Sequence, residues 1–386
     1  MIKRDIQSLL REMMRSFPVV TITGPRQSGK TTLVKQTNPG MDYVSLEELD
    51  NREHAEQDPR DFLSKYKNSV IIDEIQKVPS LLSYIQTIVD SEQKNGRFIL
   101  TGSNQFEYLS SISQTLAGRT GILKLLPFSY SEIYHNKFIP QNEVLYKGFY
   151  PRIFDQNIRP ELFLSGYLET YVERDVRAIS KVQDLMQYHR FLQLCAGRTG
   201  QILNFNNIGN ELGVDHKTVK EWISIALASY LIFLLPPYYK NYNKRIRKAP
   251  KLYFLDVGLA AHLIGIQNID QLQTHPLKGE LFETFVVIEF LKKRYNQGKR
   301  SNLYYFRDNT GNEIDLIFET GLEPIPIEIK SAQTVNSDFF KGLNYFGKLE
   351  KNIEESILIM GNDIKQRRNE HSVYGYPFIN ELLENL

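Results

Sequence analysis

Val19-Val20-Thr21-Ile22-Thr23-Gly24-Pro25-Arg26-Gln27-Ser28-Gly29-Lys30-Thr31-Thr32 is the stretch on which the fold turns. Five β-branched residues in succession predict a buried strand. Gly24 to Thr31 then satisfies G-x-x-x-x-G-K-[ST] at every fixed position. Glycines let the chain curl until successive N–H groups point inward. A helix opening at Thr31 adds positive potential, and the complement of such a cup is a phosphate chain. Lys30 is expected to reach the β- and γ-phosphates of ATP and the Thr31 hydroxyl to ligate Mg²⁺. Gly24, Pro25, Arg26, Gln27, Ser28, Gly29 and Thr32 complete the expected nucleotide contacts, with bracing of the loop as the plainer role for Arg26.

Working outward, Val70-Ile71-Ile72-Asp73-Glu74 is an apolar strand that ends in two carboxylates. Asp73 is expected to hold Mg²⁺ directly or through water, and Glu74 to polarise an attacking water. A third strand, Phe98 to Thr101, runs into Gly102-Ser103-Asn104. One of Thr101, Ser103 and Asn104 is expected to sense the γ-phosphate, with a plain polar turn as the alternative. Strands alternating with helical stretches over 1–141 predict an α/β P-loop domain, a parallel sheet with helices on both faces.

Composition sets the outer limits. The chain has 386 residues, enough for two or three domains. It has 47 basic and 45 acidic residues, a net charge of +2, so no global field drives it onto nucleic acid or anionic lipid. With one cysteine, Cys195, no intrachain disulfide forms and no cysteine-rich zinc site exists. Lys3, Arg4 and Asp5 precede any apolar run, and the longest uncharged apolar stretch is too short for a bilayer. The expectation is a cytoplasmic protein with no membrane partner.

Several motifs together carry a resemblance. Gly24-Pro25-Arg26-Gln27 before Ser28-Gly29-Lys30-Thr31-Thr32-Leu33, Asp73-Glu74-Ile75-Gln76, Leu100-Thr101-Gly102-Ser103 and Leu116-Ala117-Gly118-Arg119 resemble prokaryotic AAA-type ATPases. Those proteins carry a C-terminal domain of unknown function with a nuclease-like tail. The likeness continues through Tyr171-Val172-Glu173-Arg174-Asp175, Leu252 to Leu259 and Pro326-Ile327-Glu328-Ile329-Lys330-Ser331. It implies an ATPase and a domain order, with no settled substrate. It also suggests Arg119 as an arginine that stabilises charge on the γ-phosphate, in cis or in a neighbouring subunit; a salt bridge is the competing reading. A homo-oligomer is compatible with such a site, but no sequence feature fixes one.

A mainly helical region is expected over 146–258. Asn206 to Ile223 reads as two helices joined by Leu212-Gly213-Val214, with Asp215 capping the second, in the manner of a winged helix. His216, Lys217, Lys220 and Ser224 then face outward. The basic run from Tyr238 to Lys251 suits DNA phosphates, and a protein-packing module with a solvated charged face is the competing reading.

Over 276–386 a helix precedes strands carrying Asp315 and Glu328-Ile329-Lys330. Paired as a hairpin, these strands bring Asp315 to Glu328, and Glu283 (or Glu280) on the helix offers a third carboxylate. With Lys330 orienting a nucleophile, the set resembles the restriction-endonuclease-like PD-(D/E)XK fold, implying a second Mg²⁺ site at Glu283, Asp315 and Glu328. Ile314 stands where that pattern has proline. Two functions remain open: an ATPase whose nucleotide state controls a nuclease-like or DNA-binding module, or a nucleotide-regulated switch for a protein partner with an inert tail.

Overall fold

The computed structural model describes residues 2–102, 114–135, 137–171, 184–239, 248–321, 323–350, 353 and 355–386. It divides into two compact units. One comprises Met1–Phe128, Ala228–Tyr230 and Arg294–Lys299; the other comprises Ser129–Leu227, Leu231–Lys293 and Arg300–Leu386.

The first unit is built on β1 (Val19–Thr23), β2 (Asp42–Ser45), β3 (Val70–Asp73), β4 (Phe98–Gly102) and β5 (Thr120–Lys124), in the order β2-β3-β4-β1-β5. All four pairings are parallel. Side chains alternate between faces along a strand, and the burial here follows that period. Val19, Val70, Ile72, Phe98 and Leu100 join one core with Leu81, Ile85 and Val89 of the helix Leu81–Glu92. Val20, Ile22, Ile71 and Ile99 join the other with Leu10 of the helix Gln7–Ser16 and Leu33 and Val34 of the helix Lys30–Thr37. Both faces are therefore covered, which is why these strands read as continuous apolar runs rather than as alternating ones. Parallel strands place the loops after β1 and β3 at the same end of the sheet.

In the second unit, the helices Phe205–Leu212 and His216–Ala228 accompany an antiparallel sheet ordered β6-β8-β7: β6 (Gln201–Ile202), β7 (Ile232–Leu235) and β8 (Lys251–Phe254). The Asp215 carboxylate accepts from Lys217 N and Thr218 N, as a capping residue should. Val219, Trp222, Ile223 and Ala226 are buried, Leu227 is half-buried, and His216, Lys217 and Lys220 are exposed.

The C-terminal sheet has six strands in the order β13-β14-β12-β11-β10-β9: β9 (Leu303–Arg307), β10 (Glu313–Thr320), β11 (Glu323–Lys330), β12 (Ser356–Met360), β13 (Lys365–Arg368) and β14 (His371–Gly375). The expected hairpin is present, with β10 antiparallel to β11. Three further strands extend the sheet beyond the three foreseen. Ser356–Met360 is buried throughout, and a short apolar run of that kind has no alternation to betray it as a strand. The chain is therefore a parallel-sheet P-loop NTPase-like region, a helical middle and a C-terminal sheet region.

Candidate functional site

The loop between β1 and the helix Lys30–Thr37 adopts backbone that glycine permits. Gly24 has φ +153°, and a Cβ there would stand 2.1 Å from the Leu125 carbonyl oxygen. Gly29 caps the helix in the left-handed region at φ +89°. Lys30, 6% exposed, folds its ammonium back onto the carbonyls of Gly24 and Pro25 at 2.9 and 2.8 Å. Ser28 Oγ is buried with no hydrogen-bond partner among the described residues. From outside the loop, Arg4 donates to Ser28 O at 2.8 Å and to Leu126 O at 2.7 Å, bracing the curl by its backbone. The sequence pattern held no sign of Arg4, because its contacts span 24 and 122 residues.

Asp73 ends β3 and is 6% exposed. Its Oδ2 accepts from Thr31 Oγ1 at 2.8 Å and from the Tyr43 hydroxyl at 2.9 Å, and its Oδ1 accepts from Thr101 Oγ1. Of the three polar residues weighed at the end of the third strand, Thr101 of β4 reaches the acidic strand end; Ser103 and Asn104 lie outside the described residues. Burial, and then the Asp73 carboxylate, push the Tyr43 hydroxyl well above its ordinary range, so it stays a donor. The Lys35 ammonium sits 3.4 Å above the centre of the Tyr43 ring.

Glu74 has φ +56°, a strained conformation for a residue with a Cβ, and its carboxylate accepts from Gln76 Nε2. Arg119 forks onto Asp90, with Nε to Oδ1 at 2.5 Å and Nη2 to Oδ2 at 2.9 Å. The exposed salt bridge is therefore the arrangement this arginine adopts.

The donor set fits a magnesium–triphosphate. The loop carries a buried serine hydroxyl with no partner among the described residues, a helix start and a lysine resting on its own carbonyls. A cation carried by phosphate oxygens needs few protein ligands, and Thr31 beside Asp73 would supply them.

The second unit brings Glu283, Asp315, Glu328 and Lys330 together. Lys330 Nζ lies 3.1 Å from Asp315 Oδ2 and 2.8 Å from Glu328 Oε2, and Ile329 N donates to Asp315 at 2.8 Å. Glu283, rather than Glu280, is the helical carboxylate that joins them. It accepts from Lys251 Nζ at 3.0 Å and the Tyr253 hydroxyl at 2.5 Å, and Lys251 also meets Glu313 at 2.6 Å. Burial pushes Glu283 up to about 7 against the pull of Lys251. Burial and the Asp315 charge push Glu328 up to about 9. Burial would raise Asp315 too, but Lys330 and Lys251 hold it below its ordinary value.

Among the described residues no three His, Cys, Asp or Glu side chains stand at metal-holding spacing. Ammonium groups of Lys251 and Lys330 stand against Glu283, Asp315 and Glu328, the carboxylates expected to form a second magnesium site. Lys251 closes the basic run from Tyr238, and Tyr253 lies in the motif Leu252 to Leu259, whose chemistry the sequence did not disclose. Cys195 is buried, as a core residue is. The basic residues Lys240, Lys244, Arg245 and Arg247 and the pair Glu173 and Asp175 lie outside the described residues. Among the described residues no helix is long and apolar enough to cross a membrane.

Three family profiles match successive parts of the chain. The family profile of an AAA domain matches residues 16–134. Profiles of two domains of unknown function, DUF8612 and DUF4143, match 140–270 and 278–379. An uncharacterized protein of Mycobacterium tuberculosis is 28% identical over 337 residues, 86% of this chain and 74% of the relative. An uncharacterized protein of Haemophilus influenzae is 24% identical over 332 residues, 77% and 80% of the two chains. Among solved structures, a Walker-type ATPase of Pyrococcus abyssi is similar at 15% identity and a TM-score of 0.44, covering 68% of this chain and 96% of that one. RuvB of Thermotoga maritima is similar at 16% identity and a TM-score of 0.30, covering 61% and 90%. Phosphate loop, acidic strand end and profile match coincide: the first unit is an AAA-type, P-loop ATPase-like domain.

Proposed function

We propose that this protein binds ATP with Mg²⁺ and hydrolyses it, using nucleotide state to control a C-terminal DNA-binding module. The observation that carries the reading is the convergence of Thr31 and Thr101 on Asp73 at the mouth of a glycine-shaped phosphate loop. Backbone N–H groups of residues 27–31 and Lys30 would hold the phosphates. Thr31 and Asp73 would hold the magnesium, which supplies charge neutralisation across the β- and γ-oxygens. Glu74, next in sequence to Asp73, would exchange Gln76 for the attacking water. Arg119 would serve the γ-phosphate only after leaving Asp90. Residues 146–258 and 276–386 act as the responding regions, and the exposed His216, Lys217 and Lys220 on one helix favour DNA phosphate as their ligand.

A specific observation favours a second reading. The carboxylates of the C-terminal cluster are paired with Lys251 and Lys330, which supports a catalytically inert tail, as a nucleotide-regulated switch for a protein partner would have. ATP turnover measured with and without double-stranded DNA, for the parent protein and Lys30→Ala, tests both. The first reading expects turnover that DNA stimulates, with stimulation falling steeply between about 50 and 200 mM salt. Turnover indifferent to DNA favours the switch, and no turnover in either protein removes the enzyme assignment. Mg²⁺-dependent nicking that disappears with Asp315→Ala would restore a nuclease.

A further inference from the structure

Tyr43 stands on the strand beside β3, and no motif in the sequence singles it out. Its hydroxyl shares Asp73 Oδ2 with Thr31 Oγ1, at 2.9 and 2.8 Å. β2 pairs with β3 in parallel register, Ser45 opposite Asp73, so the tyrosine projects from a rigid sheet position rather than a loop. A carboxylate oxygen has two in-plane lone pairs, and here both are taken. With Thr101 on Oδ1, Asp73 keeps one lone-pair direction open among the described residues. That inventory bears on what the carboxylate does. A hydroxyl that donates its proton to Asp73 turns its own lone pairs away from Asp73, so the orientation of Thr31 depends on how firmly Oδ2 is held.

We propose that Tyr43 is a positioning residue for the magnesium of the nucleotide site: it fixes Asp73 Oδ2 so that Thr31 presents its oxygen lone pairs to the cation. Asp73 then acts as the orienting base of Thr31, with its remaining lone pair left for a metal-bound water. Lys35, stacked on the Tyr43 ring, holds the ring in place and gives the arrangement a second handle. The inference rests on the loop being a nucleotide site and adds a residue that a phosphate-loop pattern does not contain.

The test compares the parent protein with Tyr43→Phe, which removes one oxygen, and with Lys35→Met, which leaves the hydroxyl in place. Affinity for a fluorescent non-hydrolysable ATP analogue is measured in EDTA and across a Mg²⁺ titration. Binding of Mn²⁺ in the presence of the same analogue is followed by electron paramagnetic resonance. Tyr43→Phe is expected to leave affinity in EDTA unchanged and to raise the Mg²⁺ concentration for half-effect about ten-fold, as loss of a hydrogen bond to a charged group implies. Its manganese signal should shift toward the freely hydrated ion, and Lys35→Met should show a smaller change of the same kind. An unchanged Mg²⁺ titration in Tyr43→Phe overturns the role of Tyr43 alone. Equal loss in EDTA and in Mg²⁺ makes the tyrosine a packing residue and overturns it as well. A parent protein that binds no analogue removes the nucleotide site itself, and the inference with it.

Discussion

Lys251→Met replaces a buried ammonium by an apolar side chain of similar length. In the parent protein this side chain is 4% exposed, and its Nζ meets Glu283 at 3.0 Å and Glu313 at 2.6 Å. The loss has two parts. The ion pairs disappear, and carboxylates already shielded from water are left without a counter-charge, which is the larger cost. Removing one partner of a buried pair costs about 3–5 kcal/mol. In a unit of this size that is a fall in Tm of about 10 °C. The pH dependence adds a second mark. Burial pushes Glu283 up to about 7 against the opposing pull of Lys251. Without the ammonium it rises further and neutralises more readily, so the variant should lose less at pH 5 than at pH 8. Differential scanning calorimetry at the two pH values, each with and without Mg²⁺, reads all of this. Partial rescue by Mg²⁺ in the variant alone would identify Lys251 as the cation the carboxylates are built around. A fall in Tm below about 2 °C, or one independent of pH, refutes the reasoning.

Glu283→Gln keeps an acceptor for Tyr253 and Lys251 but does not titrate. The parent Glu283 has its folded value raised by burial from 4.5 to about 7, so its contribution is fully present below the unfolded value and lost as pH rises through the folded one. The parent should therefore lose about 3 kcal/mol between pH 4.5 and 8 relative to Glu283→Gln, measured as a difference in urea midpoints; parallel pH profiles would contradict it. Gly24→Ala puts a Cβ against the Leu125 carbonyl at a φ of +153°, so it should cost about 2 kcal/mol or more and abolish nucleotide affinity. A variant that melts and binds like the parent would show that the loop curls by another route.

The ATP loop was legible because its chemistry is local. Strand, glycine curl, Lys30 and Thr31 fall within thirteen consecutive residues, and each residue's backbone need can be read from its type. Asp73 was legible as the polar end of an apolar strand. What escaped is what folding brings from a distance. Tyr43 and Arg4 look like ordinary residues until the sheet places one beside Asp73 and the other under Ser28. The C-terminal carboxylates are legible from their spacing on two strands and a helix. Spacing shows which acids can meet, but only the fold reveals that Lys251, from a strand 32 residues before Glu283, arrives among them. Arg119 illustrates the converse: its motif invited a catalytic role, and Asp90, 29 residues earlier, supplies it with a plain partner.

Equilibrium titration of a fluorescent ATP analogue in Mg²⁺, run side by side on the parent protein and Lys30→Ala, tests the central claim most directly. The account predicts saturable one-to-one binding by the parent and its loss in a variant that keeps the parent's melting profile. Absence of saturable binding, or equal affinity in the two proteins, would contradict it.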